Sequence, residues 1–234
     1  EHPSVAAPMR QEGATNIPVD ATGRIDSGTL EIATGTVLVS VMLANNKVGT
    51  VQPIRAIADR AHAAGALMHV DAAQAAGKIL VDVDALGADL LTLAGHKFYA
   101  PKGVGALYVR ASTEIAPIQF GAGHERGWRP GTENVPHLVA LGEAARIARS
   151  ELAEESVRLT RLRDDLHGLL VAAIPGLYLN GHATERLPNT LNVSFPAVAG
   201  WQVLAAAPTV AASTGSACHA GEHAVSGVLA AMGL

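Results

Sequence analysis

Leu67-Met68-His69-Val70-Asp71 is a short apolar run closed by an acid, and Leu90-Leu91-Thr92-Leu93-Ala94-Gly95-His96-Lys97 is a second one closed by a lysine. Each run has the length of a buried strand. Asp71 and Lys97 lie 97 − 71 = 26 residues apart, room for a return through a crossover and one further strand. An open α/β sheet gathers its ligands at the carboxyl ends of its strands. The two charged side chains are therefore expected in one crevice.

Working outward, Val37–Leu43 is a β-branched run of strand length, interrupted only by Ser40. Pro53 precedes Ile54, Ile57, Ala58, Ala61 and Ala64, which recur on one helical face until Gly65 stops the helix. Strands are expected at Ala66–Val70, Asp89–Leu93 and Gly105–Val109. This alternation predicts an α/β fold with a mostly parallel sheet. Phe120–Thr132 is a glycine-rich, basic loop. Val135–Ala173 has a charged helical pattern, either one long helix or two end to end. Short strands follow at Leu177–Asn180 and Thr190–Phe195. The composition changes near Ser150, so we expect a larger domain over 1–150 and a smaller α+β one over 151–234.

The composition narrows the function. The 234 residues are 49% hydrophobic and 16% charged, which suits a packed core rather than disorder. Seventeen basic against 21 acidic residues give a net charge of −4, and aromatic residues make up 3%. Neither fits a nucleic-acid surface. No run approaches the roughly 20 apolar residues of a membrane span. One cysteine, Cys218, excludes an internal disulfide framework. Cys218, His219 and His223 lack a fourth ligand at recognisable spacing, so no metal site is expected. A reducing, cytoplasmic compartment is expected.

A carboxylate facing a lysine suits pyridoxal 5′-phosphate, which needs an amine to bind it covalently and an acid to keep its ring nitrogen protonated. On spacing alone an ordinary buried ion pair fits as well. The surrounding motifs decide further. Ala94-Gly95-His96-Lys97-Phe98-Tyr99-Ala100-Pro101-Lys102-Gly103, His69-Val70-Asp71-Ala72-Ala73-Gln74 and Ala44-Asn45-Asn46-Lys47-Val48-Gly49 stand out as motifs. So do Gly123-His124-Glu125-Arg126-Gly127 with Gly131-Thr132-Glu133-Asn134, and Ser213-Thr214-Gly215-Ser216-Ala217-Cys218. In combination they resemble the cysteine desulfurase and selenocysteine lyase family, the class V branch of pyridoxal-phosphate enzymes.

The resemblance implies the large domain of a type I pyridoxal-phosphate transferase with part of its small domain. It implies that Lys97 carries the cofactor covalently, Asp71 pairs with the ring nitrogen, and Gln74 hydrogen-bonds the phenolic oxygen. Asn45 would lie near the ring and the substrate carboxylate, His96 at the phosphate, and His2 on the ring face, where it also serves catalysis. Thr132 would reach the phosphate of a neighbouring subunit in a homodimer. Cys218 would take the sulfur of L-cysteine as a persulfide, leaving L-alanine, and hand it to a sulfur-acceptor protein.

Selenocysteine lyase and a non-catalytic module of the same fold are the alternative readings. On residue type alone His69 reads as packed, Arg126 and Arg129 serve an interface or a substrate equally well, and Thr132 could cap the helix after it. Ala94 stands where the family commonly has a phosphate-binding serine, and Lys47 where it has a glutamate. The family's glycine-threonine phosphate loop would precede His2 and its carboxylate-binding arginine would follow Leu234, so the chain reads as the middle of a longer protein.

Overall fold

The structure, a computed structural model, describes residues 1–212, 214 and 226–234. Four strands form one sheet in the order β1 (Leu38–Met42), β2 (Leu67–Asp71), β3 (Leu90–Ala94) and β4 (Gly105–Val109). The first three are parallel; β4 runs antiparallel to β3. Only ten residues separate Ala94 from Gly105. A parallel return needs a dozen or more, so the short loop dictates the reversal.

The sheet has two different faces, and the two-residue side-chain period assigns them. Val39, Val41, Met68, Val70 and Leu91 are buried against α2 (Ile54–Ala63), whose Ile54, Ile57, Ala58 and Ala61 meet them. Those four residues recur at i, i+3, i+4 and i+7, so one stripe of the helix does all the covering. Gly65, at φ 78°, ends the helix and turns the chain directly into β2. The base of β3 is held by Asp89, whose Oδ2 lies 2.7 Å from His62 Nε2 and accepts from the Met68 N–H at 2.8 Å.

Leu38, Ser40 and Met42 of β1, His69 and Asp71 of β2, and Leu90, Thr92 and Ala94 of β3 are the alternate residues and face the other way. Over them lies α1 (Pro3–Gln11), a helix the sequence reading did not anticipate. The α3 turn (Val83–Leu86) leads into β3, capped by Asp82, whose Oδ1 accepts from Asp84 N and Ala85 N.

A single helix, α4 (Val135–Ala173), then carries the chain to a two-stranded antiparallel sheet of β5 (Tyr178–Asn180) and β6 (Asn192–Ser194). Ser150, where the sequence suggests a change of domain, lies inside α4. Two short helices, α5 (Gly200–Ala206) and α6 (Gly227–Ala231), complete the described elements. The turn after β1 joins the two sheets: Val51 N donates to Glu185 O, Leu187 N to Gly49 O, and Asn192 Nδ2 to Lys47 O, at 2.9, 2.9 and 3.1 Å.

Candidate active site

A cavity of about 740 Å³ lies between α1 and the second face of the sheet. It extends along that face to the strand ends, where Asp71, Gln74, His96 and Lys97 line it. The crevice expected at the carboxyl ends is thus one end of a longer chamber. Its volume is in the range of sites for cofactors and small molecules.

The strand register builds its floor. Met42, Asp71 and Thr92 occupy one rung of the sheet; Ser40, His69 and Leu90 occupy a rung toward the strands' amino ends. Asp71 ends β2 and is 7% exposed. Its Oδ1 accepts from the Ala73 N–H at 2.9 Å and faces Thr92 Oγ1 at 3.5 Å. Oδ2 has no hydrogen-bond partner among the described residues. A buried carboxylate with one oxygen fixed and the other unspent is suited to a cationic donor in the cavity.

Lys97 is carried by a 3-10 turn, Gly95–Lys97, directly after β3. Gly95 makes that turn possible. A Cβ there would sit 2.8 Å from Val104 O, 3.0 Å from Ala100 Cβ and 3.0 Å from Leu141 Cδ1 of α4. The close approach fixes where the lysine leaves the sheet. Lys97 and His96 are both exposed to the cavity.

His2 caps α1: its Nδ1 accepts from the Ser4 N–H at 3.2 Å and lies 2.7 Å from Ser4 Oγ. It lines the cavity from the helical side. Beside it, the Glu1 carboxylate accepts from Met42 N at 2.8 Å, and burial raises its pKa.

Of the residues singled out from sequence, the cavity brings together His2, Asp71, Gln74, His96 and Lys97. Asn45 is elsewhere. It is buried, and its Oδ1 accepts from Lys47 N and Val48 N at 2.8 and 3.1 Å, spending the side chain on the turn between the sheets. Asn46 lines the cavity in its place. Thr132 is exposed and does not line the cavity, and the cap of α4 is Asn134, not Thr132. Arg126 stacks on Trp128 at 5.8 Å, and Arg129 Nη1 donates to Pro130 O at 3.0 Å; neither lines the cavity. Cys218 lies outside the described residues.

Residue type missed one lining residue and one neighbour of a lining residue. His69 is not simply packed: it lines the cavity, with Nδ1 2.7 Å from Ser40 Oγ. Burial lowers its pKa against the opposing pull of Asp71, which favours a neutral ring. The signal was Ser40, a hydroxyl interrupting an apolar strand on the same face as Leu38 and Met42. The other is Lys78, whose Nζ donates to Gln74 Oε1 at 3.0 Å and to Gln74 O at 2.9 Å. Its spacing of four from Gln74 is the available sequence signal.

The residues fit pyridoxal phosphate. A lysine and a half-spent buried carboxylate share one chamber, a side-chain amide stands between them in sequence, and imidazoles line both the helical wall and the loop. Among the described residues no three His, Cys, Asp or Glu side chains are grouped to hold a metal ion, and no helix is long and apolar enough to cross a membrane.

Comparison with known proteins agrees with this geometry. "Cysteine desulfurase 2" of Trichormus variabilis is 46% identical over 99% of this chain and 59% of its own length. "Cysteine desulfurase IscS 1" of Archaeoglobus fulgidus is 44% identical over 100% of this chain and 63% of its own. The chain thus spans about 60% of the length of these curated relatives. Among solved structures, a "NifS-like protein" superposes with a TM-score of 0.87 at 36% identity, over 100% of this chain and 63% of that one. DndA from Streptomyces lividans superposes with a TM-score of 0.83 at 34% identity, over 100% and 69%. The sequence profile described as "Aminotransferase class-V" matches residues 1–232, so the chain belongs to the class V aminotransferase family.

Proposed function

We propose that this chain is part of a pyridoxal-phosphate-dependent cysteine desulfurase, which takes sulfur from L-cysteine and releases L-alanine. The observation that carries the reading is the shared cavity: Asp71 on β2 and Lys97 after β3 open into the same chamber with Gln74, His96 and His2. The relatives named cysteine desulfurase supply the substrate class.

Pyridoxal phosphate, when bound, supplies an electron sink that makes the substrate's α-proton removable and its sulfur open to attack. Lys97 would hold the cofactor until the substrate amine displaces it. Its freed amine would then remove the proton at the substrate Cα and return one, a role open to a lysine that lines the chamber. Asp71, its Oδ1 already fixed by Ala73 N, would keep the ring nitrogen protonated through the unspent Oδ2. Gln74 would donate to the ring oxygen, and His2, lining the cavity from the α1 side, would lie on the ring face.

Cys218, by the resemblance of its motif, attacks the substrate sulfur as a thiolate. The Cβ–S bond breaks, an S–S bond forms on Cys218, and the bonding pair stays with carbon, which takes up a proton to leave as alanine. Thiol and cysteine in, persulfide and alanine out: the atoms balance without an outside oxidant. Thr132 is exposed and away from its own chain's cavity, which supports its service to a neighbouring subunit of a homodimer. A sulfur-acceptor protein would receive the persulfide.

The test uses the full-length protein. It is expected to bind pyridoxal phosphate with a yellow colour, and borohydride reduction followed by peptide mass analysis should place the added mass on Lys97. Lys97→Ala should remove both the tag and at least a thousandfold of the activity (about 4 kcal/mol). Cys218→Ser should keep the colour and lose sulfide release from cysteine. A colourless protein, or a tag on another lysine, would overturn the proposal.

A further inference from the structure

The geometry points to Lys78 as the positioning residue that holds the Gln74 side chain with its NH₂ end free for the cavity, so that Gln74 meets a ligand there only as a hydrogen-bond donor. For the identity of that ligand the inference rests on the function proposed above.

The argument starts from the donor inventory. A lysine ammonium has three donors and no acceptor, whereas a glutamine amide has one end of each kind. Lys78 Nζ stands 3.0 Å from Gln74 Oε1 and 2.9 Å from Gln74 O. Rotating the amide by half a turn would set its NH₂ against the ammonium, two donors face to face. The contact therefore fixes an orientation that an isolated glutamine would leave open. Oε1 is spent on Lys78, and Nε2 has no hydrogen-bond partner among the described residues. Gln74 itself lines the cavity, as Lys97 does.

The backbone holds this pair rigidly. Ala76 N and Ile79 N donate to Ala72 O and Ala75 O, both at 3.0 Å, so Gln74 and Lys78 lie in one run of hydrogen-bonded turns. Gly77, between them, has φ 74°, and a Cβ there would come within 2.9 Å of Phe98 Cβ and 3.4 Å of Ala148 Cβ. Phe98 follows Lys97 directly. The turn that presents Lys78 is thus packed against the segment that presents Lys97. Lys78 is half-buried; its burial first, and then the positive charge of Lys97, bring its pKa down from 10.5 to about 8. Lys97 is the charged group whose field it feels.

An amide held this way prefers an oxyanion to a neutral hydroxyl, because only an acceptor can meet it and a negative one meets it more strongly. On a pyridoxal ring that group is the ionised phenolic oxygen. Lys78 would also oppose a positive charge at Lys97, so both of its effects favour loss of the proton from the lysine–cofactor linkage.

The test uses the full-length protein in two arms. In the first, without added cofactor, the Gln74 side-chain amide is followed by ¹⁵N–¹H NMR from pH 7 to 9.5. Its signals should move with a midpoint near 8. Lys78→Met should abolish that movement, and Lys78→Arg should hold the amide at the wild-type low-pH position at every pH. Should Lys78→Met not fold, Lys78→Gln takes its place. An amide indifferent to residue 78 overturns the proposal.

In the second arm, with pyridoxal phosphate added, the pH at which the coloured lysine-linked form loses its proton is compared. Lys78→Met should raise it by about half a unit or more, and Lys78→Arg should leave it within about 0.2 unit. An unmoved midpoint in a coloured Lys78→Met protein overturns the role toward the cofactor. A wild-type protein that takes up no pyridoxal phosphate refutes the proposed function instead, and the first arm still decides Lys78.

Discussion

The parallel strands β1 to β3 and the long helix α4 spend their apolar residues in opposite ways. Met68, Val70, Ile57, Ala58 and Ala61 are fully buried between the sheet and α2. Along the 39 residues of α4 none is buried, and Val139, Val157 and Leu169 are 66, 72 and 71% exposed. The whole chain exposes 14138 Å². A compact chain of this mass would expose about 10,000 Å². Rigidity is therefore concentrated where Asp71 leaves β2 and Lys97 leaves β3, and α4 touches that region at single points, such as Leu141 beside Gly95 and Ala148 beside Gly77.

The largest expected effect breaks the core side of this contrast. Met68 is fully buried at the centre of β2. Met68→Ala should lower the unfolding free energy by about 2–5 kcal/mol, read as a shift in the urea midpoint. A loss under about 1 kcal/mol would mean that the sheet is no better packed than the helix.

Next comes the point where the core meets the site. Gly95→Ala forces a methyl to within 2.8 Å of Val104 O, a backbone atom that cannot swing aside. The expected loss is about 1–3 kcal/mol. Because the strain falls two residues before Lys97, borohydride trapping of pyridoxal phosphate on that lysine should fall with it. Normal trapping at unchanged stability would show that Lys97 is positioned by something other than the Gly95 approach.

Much of this region was legible beforehand, for identifiable reasons. β2 and α2 announce themselves because burial on one face imposes a strict period, and Asp71 and Lys97 because a charge at the end of an apolar run has few places to go. The reversal of β4 was written in the brevity of Gly95–Val104, and it fits the expectation of a mostly parallel sheet. Helix α1 was not legible. Pro8 lies within it and none of its residues is buried, so neither propensity nor periodicity marks it; its placement over the cavity is a tertiary fact. Asn45 shows a further limit. Its motif pointed to the cofactor, yet an asparagine's capacity to bond N–H groups two and three residues ahead ties it to its own turn.

A smaller effect should appear with pH on the cavity face of the same sheet. Burial lowers the pKa of His69 from 6.5, so between the folded value and 6.5 the unfolded chain binds a proton that the folded chain refuses. The stability contributed by the neutral ring is complete above pH 6.5 and is lost as the pH falls through that window. His69→Gln should flatten this part of the stability–pH curve. A wild-type curve that rises on acidification would show that Asp71 outweighs the burial.

The smallest effect should come from α4, and its smallness is the point. Leu169→Ser removes a larger apolar group than many core substitutions do, but from a site already in contact with water. In the 234-residue chain the unfolding free energy should change by no more than about 0.5 kcal/mol. Neutralising Glu155, whose pair with Arg158 joins two solvated side chains one helical turn apart, should leave the midpoint unmoved. If instead Leu169→Ser cost as much as Met68→Ala, the apolar face of α4 would have to be covered in solution. The contrast would then be one between two kinds of core, and the turns that hold Gln74, Lys78 and Lys97 would be clamped from both sides.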